Sequence, residues 1–219
     1  PALAFQNAVM QSVEFAAKGR LVTFGVLPTK AETGFGYIEI GRDLGGAYET
    51  ASFKEKPDQA TAEAYAASGR YYWNSGLFSF RIDCFLQEIG KYAPKIQEQL
   101  FASYEETAAH FNDMPNISID YAIAEKSKLG VTIPLKLYWN DVGSWDAIYE
   151  VLDKDANGNA VKGDAVTIDC KDNLIFGRSR LIAGIGLKDV MIVETDDVIL
   201  VAQKGESQKV RDLVDMLKR

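Results

Sequence analysis

Val131-Thr132-Ile133-Pro134-Leu135-Lys136-Leu137-Tyr138 runs directly into Trp139-Asn140-Asp141-Val142-Gly143-Ser144-Trp145, and a helical stretch follows to about Leu152. The first segment reads as a strand, and Pro134, which has no N–H to donate, favours an edge or a bulge within it. Strand, polar loop and helix in succession form the repeating unit of a layered α/β domain. Towards the N-terminus the same alternation continues. A helix is expected over Ile119 to Ser127, entered through Ser118 and closed by Gly130, and helices over Ile82 to Tyr92 and Lys95 to Ala109 are broken at Pro94. Leu77 to Phe80 reads as a short buried strand, and Asp58 is a natural N-cap for a helix to about Ala67 that Gly69 stops. Strands are expected at Leu21 to Leu27, Tyr37 to Ile40 and Tyr48 to Phe53, the last two separated by the turn-rich Gly41 to Gly46. Phe5, Val9, Ser12, Val13 and Ala16 recur at helical spacing just after Pro1, so the chain reads as starting mid-protein.

Towards the C-terminus, Asp153 to Lys162 turns polar and turn-forming, which sets a linker at 153–162 between a larger domain, 1–152, and a small β-rich domain, 163–219. Asp189-Val190-Met191-Ile192-Val193 echoes Asp197-Val198-Ile199-Leu200-Val201, but a solenoid needs about three repeats and one pair does not establish it. A terminal helix carries Val210, Leu213, Val214 and Leu217 on one face and runs to Arg219.

The 219 residues are 47% hydrophobic and 25% charged, the composition of an ordinary globular chain. A net charge of −7 argues against a nucleic-acid polymer as partner, so any phosphate must be held locally. Cys84 and Cys170 are the only cysteines and have neither a disulfide framework nor zinc-ligand spacing, which fits a reducing cytoplasm. No apolar run approaches the about 18 residues of a membrane span. His110 is the only histidine and lacks a catalytic partner in sequence; it reads as a surface or helix-end residue. Neither Gly34-Phe35-Gly36-Tyr37 nor any other stretch matches a dinucleotide fingerprint or a P-loop.

Three motifs carry chemistry. Glu55-Lys56-Pro57 is either a solvated charge pair at a strand end, or Lys56 is a point charge for a phosphate while Glu55 takes the hydroxyls of a polyol. Neighbours on a strand point to opposite faces, so the second reading requires the strand to end or twist there. Tyr71-Tyr72-Trp73-Asn74-Ser75-Gly76 is either core packing with Asn74 in a turn, or an amide held in an aromatic bed that offers donor and acceptor together. In the Trp139 to Trp145 loop, Asp141 or Ser144 simply starts the helix, or Asp141 is a hard oxygen ligand for Mg²⁺ beside substrate phosphates.

In order along the chain, Phe24-Gly25-Val26-Leu27-Pro28-Thr29, Thr33 to Ile38, Phe53-Lys54-Glu55-Lys56-Pro57-Asp58, Trp73-Asn74-Ser75-Gly76, Ser118-Ile119-Asp120-Tyr121 and the Trp139 to Trp145 loop resemble the mannose-1-phosphate guanylyltransferases. The resemblance implies an α/β fold with a partial Rossmann-like, GT-A-like nucleotidyltransferase mixed sheet flanked by helices, then the small β-rich domain. It implies condensation of mannose 1-phosphate with GTP to GDP-mannose and pyrophosphate, with Mg²⁺ as cofactor. Glu55, Asn74 and the Gly36-Tyr37 backbone would bind the mannose, Lys56 the sugar phosphate, and Asp141 would be one of two metal-binding aspartates; Lys56 and Asp141 are thus the catalytic pair. The family's glycine-rich triphosphate loop, followed by Arg and Pro, has no match here, so the chain is expected to be inactive alone and to need an N-terminal segment, whose strands would otherwise leave a sheet edge open. Alternatives are a glucose enzyme using UTP or dTTP, and a non-catalytic sugar-nucleotide-binding subunit. A homodimer through the small domain, with no membrane partner, is expected from its apolar strands.

Overall fold

The computed structural model describes residues 2–217; Pro1 and the end of the expected terminal helix, at 218–219, lie outside them. The chain divides into two compact units, Pro1–Trp139 and Asn140–Arg219.

The first unit opens with α1 (Ala2–Ala17), followed by β1 (Leu21–Val26), β2 (Tyr37–Asp43), β3 (Tyr48–Lys54), α2 (Gln59–Ser68) and β4 (Tyr71–Ser79). The Asp58 carboxylate accepts from Thr61 N–H at 2.8 Å and starts α2; Gly69, in the left-handed region at φ 68°, ends it. Next come α3 (Ile82–Tyr92), α4 (Pro94–Gln97), α5 (Tyr104–Ala109), a π turn at Asp120–Ala124 and β5 (Gly130–Leu135). The five strands form a mixed sheet closed on itself in the order β1-β4-β2-β3-β5, with β1 parallel to β5 and antiparallel to β4. Every residue of β1 is buried, as expected for a strand covered on both faces. The open sheet edge expected from the sequence is therefore absent from this sheet. β3 and β5 meet through Tyr48↔Thr132 and Glu49↔Val131, and the Thr50 and Thr132 hydroxyls are 2.8 Å apart. Pro134 lies past the last of these pairs and stands opposite Gly25 of β1, which is the one-sided position a strand proline requires.

Several elements differ from the sequence reading. Tyr71 to Gly76, in which the sequence allows Asn74 to sit in a turn, is the first part of β4. The turn signal in Asn74-Ser75-Gly76 reports an irregularity: Gly76 has φ 75° and the β1–β4 register shifts between Thr23 and Gly25. The helix expected over 95–109 is two short helices, because Ser103 caps α5 through its bond to Glu106 N–H at 3.1 Å. The helix expected over 119–127 is the shorter π turn.

The second unit contains α6 (Trp145–Val151), then the short strands β6 (Ala160–Lys162), β7 (Ala165–Ile168), β8 (Leu174–Phe176), β9 (Ile182–Ile185), β10 (Val190–Glu194) and β11 (Ile199–Gln203), and α7 (Val210–Leu217). β6, β8 and β10 are parallel neighbours, as are β7 and β9, so the chain coils. Ala160, Leu174 and Met191 stack in register with no exposed surface, and Trp145, Ile148 and Tyr149 of α6 pack against them. Buried amides extend this ladder: Asn159 Oδ1 accepts from Asn173 N–H at 3.1 Å, and Asn173 Oδ1 accepts from Val190 N–H at 2.9 Å. The coil was missed in the sequence because these positions are spaced unequally, while the visible repeat at 189 and 197 is the antiparallel pair β10–β11. The stretch 153–162, expected as a linker, contains the buried Asn159 and β6.

Candidate functional site

β3 ends at Lys54, and Lys56 adopts a left-handed φ of 45°, so Glu55 and Lys56 are freed from strand alternation. Lys56 Nζ comes to 3.2 Å from Glu55 Oε1, with 58% of its side chain exposed against 8% for Glu55. The lysine is thus a solvated point charge at the mouth and the glutamate a fixed acceptor below it. Glu55 N–H donates to Glu125 Oε1 at 2.9 Å, while Glu55 Oε2 is buried without a hydrogen-bond partner. Burial pushes the Glu55 carboxyl above the usual carboxylate range; Asp120 and Glu125 add to the rise, and Lys56 opposes it. A buried oxygen without a donor is an expensive feature, and its natural remedy is a ligand hydroxyl.

Gly36 lies against this oxygen: a side-chain carbon on Gly36 would collide with Glu55 Oε2 and lie 3.3 Å from Asn74 Cβ. The Gly36 carbonyl accepts from Asn74 N–H at 2.7 Å and ties the entry of β2 to β4. Tyr37 sends its side chain elsewhere, fully buried beside Tyr65, with its hydroxyl accepting from Glu32 N–H at 2.9 Å, and its backbone stands in β2 between Lys54 of β3 and Trp73 of β4. Asn74 is buried, and its amide is bonded to Thr23, Gly76 and Asp120. Trp73, on the opposite face of β4, packs edge-on against Phe35, which in turn meets Trp139. The aromatic bed is therefore core that stiffens the strand.

Gly36, Glu55, Lys56 and Asn74 are thus brought together, with the Tyr37 backbone beside them. Sequence reasoning gave no role to Asp120 and Glu125. They are five apart on the π turn, where Glu125 N–H bonds to the Asp120 carbonyl at 3.0 Å, and this i→i+5 repeat places both carboxylates near one face. The spacing Asp120-x-x-x-x-Glu125 is visible in the sequence, but it has no common face on the α-helix expected there.

Asp141 belongs to the second unit. Ser144 is the N-cap of α6, accepting from Ala147 N–H at 3.1 Å, so Asp141 is not needed to start that helix. Asp141 is exposed and accepts from Gly143 N–H at 3.3 Å, in a loop tightened by Val142 at φ 50° and by Asn140 Oδ1 accepting from Val142 N–H at 2.8 Å. Among the described residues no group of three or more His, Cys, Asp or Glu could hold a metal ion alone. One exposed carboxylate suits Mg²⁺ only where substrate phosphates supply further oxygens. His110 caps the end of α5, pairs with Asp113 at 3.0 Å and lies against Phe101, outside this site. Both cysteines are free, and no described helix is long and apolar enough to cross a membrane.

An α/β domain with a polar corner built from the start of β2, the end of β3 and the interior of β4 is the class that these features define, and the chain matches the nucleotidyl transferase family over residues 2–158. It belongs to that family, and residues 163–217 match the mannose-phosphate isomerase/GMP-like β-helix domain. The resemblance read from the motifs holds. The chain is 44% identical over 225 residues to xanthan biosynthesis protein XanB of Xanthomonas campestris, covering 98% of this chain and 48% of that protein. It is 42% identical over 232 residues to a mannose-1-phosphate guanylyltransferase of Salmonella typhimurium, covering 99% and 48%. A crystal structure described as mannose-1-phosphate geranyltransferase from Thermus thermophilus superposes with a TM-score of 0.89 at 30% identity, over 100% of this chain and 66% of that one. The chain spans about half the length of the curated relatives it matches.

Proposed function

We propose that the chain carries the sugar-phosphate side of a mannose-1-phosphate guanylyltransferase, which joins mannose 1-phosphate to GTP and releases pyrophosphate. The observation that carries this reading is the buried, unpartnered Glu55 oxygen facing Gly36 beside Asn74, with the Lys56 ammonium at the rim. Glu55 accepts from sugar hydroxyls, Asn74 and the Gly36-Tyr37 backbone meet the same ring, and Lys56 neutralises the phosphate. Asp141 would be one of two aspartates that hold a Mg²⁺ ion, with substrate phosphates supplying further oxygens. The ion would supply charge neutralisation at the reacting phosphates. The attack on the α-phosphorus of GTP is by the sugar-phosphate oxygen, so no protein nucleophile is needed.

The two functional domains divide within 153–162, a division supported by family matches that end at 158 and resume at 163. The second domain exposes Val166, Ile168 and Ile185, which favours a homodimer through that surface, in the cytoplasm; a monomer by light scattering at working concentration would count against it. No stretch of the sequence matches the glycine-rich triphosphate loop that the resemblance implies, so on this reading guanine selection and triphosphate binding fall to residues outside it. The test is GTP formation from GDP-mannose, pyrophosphate and Mg²⁺. The chain alone is expected to give none, and activity is expected when the nucleotide-binding segment of a relative is supplied with it. Turnover by the pure chain would overturn the division of labour, and glucose-nucleotide turnover would overturn the choice of sugar.

A further inference from the structure

The Asn74 amide is the meeting point of three elements, and its partners leave one orientation. Oδ1 accepts from Thr23 Oγ1 of β1 at 2.9 Å and from Gly76 N–H of β4 at 3.1 Å, while Nδ2 donates to Asp120 Oδ1 of the π turn at 2.9 Å. An ionised carboxylate only accepts and a backbone N–H only donates, so Asp120 and Gly76 together decide which end of the amide is nitrogen. Shape alone would not, because the two ends are nearly the same size. Both lone pairs of Oδ1 are then used, and one of the two N–H groups remains. The donor-and-acceptor role suggested by the sequence is therefore reduced to that of a donor.

We infer that Asp120 is a positioning residue for ligand recognition: through its bond to Nδ2 it holds Asn74 as a donor only, leaving acceptance to Glu55. This rests on the sugar-pocket reading and deepens it. Glu55 Oε2 is buried and unpartnered, so the corner presents one fixed donor and one fixed acceptor. A ligand with neighbouring hydroxyls satisfies both, because a hydroxyl accepts as well as donates. Without Asp120 the amide loses the acceptor for Nδ2, and only the donors to Oδ1, Gly76 N–H and Thr23 Oγ1, remain to orient it.

The test compares wild type with Asp120→Ala and Asp120→Asn, the second keeping an acceptor oxygen for Nδ2. Two quantities are read: hydrogen exchange of the Asn74 side-chain amide by nuclear magnetic resonance without ligand, and mannose 1-phosphate affinity by calorimetry. Asp120→Ala is expected to speed amide exchange and weaken affinity by about tenfold each, while Asp120→Asn stays within about threefold of wild type in both. Asp120 is half-buried, so truncation there is tolerable; if the alanine variant does not fold, Thr23→Val, which removes a donor to Oδ1, is expected to weaken affinity by about threefold. A residue that only supports the fold would shift the melting temperature and leave exchange and affinity unchanged, and that result overturns the inference. So does equal loss in the alanine and asparagine variants. If wild type binds no mannose 1-phosphate, the sugar-pocket reading fails, and amide exchange alone decides whether Asp120 fixes Asn74.

Discussion

Glu55 holds a buried oxygen that no described residue pairs with, so stability and binding pull against each other at this residue. Its carboxyl is raised above the usual 4.5 by burial first, which means that the folded state favours the protonated form. The native state then keeps a proton that the unfolded chain gives up, and stability falls as pH rises from about 4.5 through the raised value. Glu55→Gln is therefore expected to raise stability at pH 7 by about 1 kcal/mol in thermal denaturation while weakening mannose 1-phosphate binding by about tenfold or more. Gly36→Ala tests the same corner from the other side. The added carbon meets the carboxylate end of Glu55 rather than backbone, with Asn74 Cβ at 3.3 Å, and Gly36 has no positive φ. The melting temperature should change little, while affinity falls by about tenfold as the Glu55 carboxylate is pushed aside. A variant that binds as wild type would place the sugar elsewhere.

At the level of elements, the second unit depends on polar groups inside its coils. Asn173, with no exposed surface, accepts from Val190 N–H and donates to Asn159 Oδ1 and Leu187 O. Asn173→Ala leaves Val190 N–H without its side-chain acceptor, while Asn159 Oδ1 keeps the backbone N–H of residue 173 and Leu187 O keeps Lys171 N–H, so urea denaturation should show a loss on the order of 1–3 kcal/mol. Glu194 accepts from the backbone N–H groups of Arg178, Ser179 and Arg180 and from the Ser179 hydroxyl, and these bonds lower its carboxyl from 4.5 to about 2. A lowered acid stabilises above its unfolded value, and that contribution is lost as pH falls from about 4.5 to about 2. Glu194→Gln should flatten acid denaturation in this window. The sequence made some of this legible and concealed the rest for physical reasons. β1, β2, β3, α2 and α3 follow from apolar runs, caps and stops, which are local signals. The coil depends on contacts between positions 14 and then 17 residues apart, read from Ala160↔Leu174 and Leu174↔Met191, and no fixed period reveals it. Glu55 and Lys56 were legible as charges at a strand end and Asn74 as an amide among aromatics, whereas Asp120 and Glu125 required a π turn that no composition rule announces.

Over the whole molecule, the chain is a nucleotidyl transferase family domain followed by a coiled β domain that matches the mannose-phosphate isomerase/GMP-like β-helix family. On the proposed reading, sugar-phosphate recognition is a property these residues express without turnover. The direct test is calorimetric titration of the chain with mannose 1-phosphate, alongside glucose 1-phosphate and the Lys56→Ala and Asn74→Ala variants. Saturable binding is expected, with mannose 1-phosphate preferred and losses of about tenfold in each variant. Absence of binding by folded wild type, or affinity unchanged by both substitutions, would contradict it.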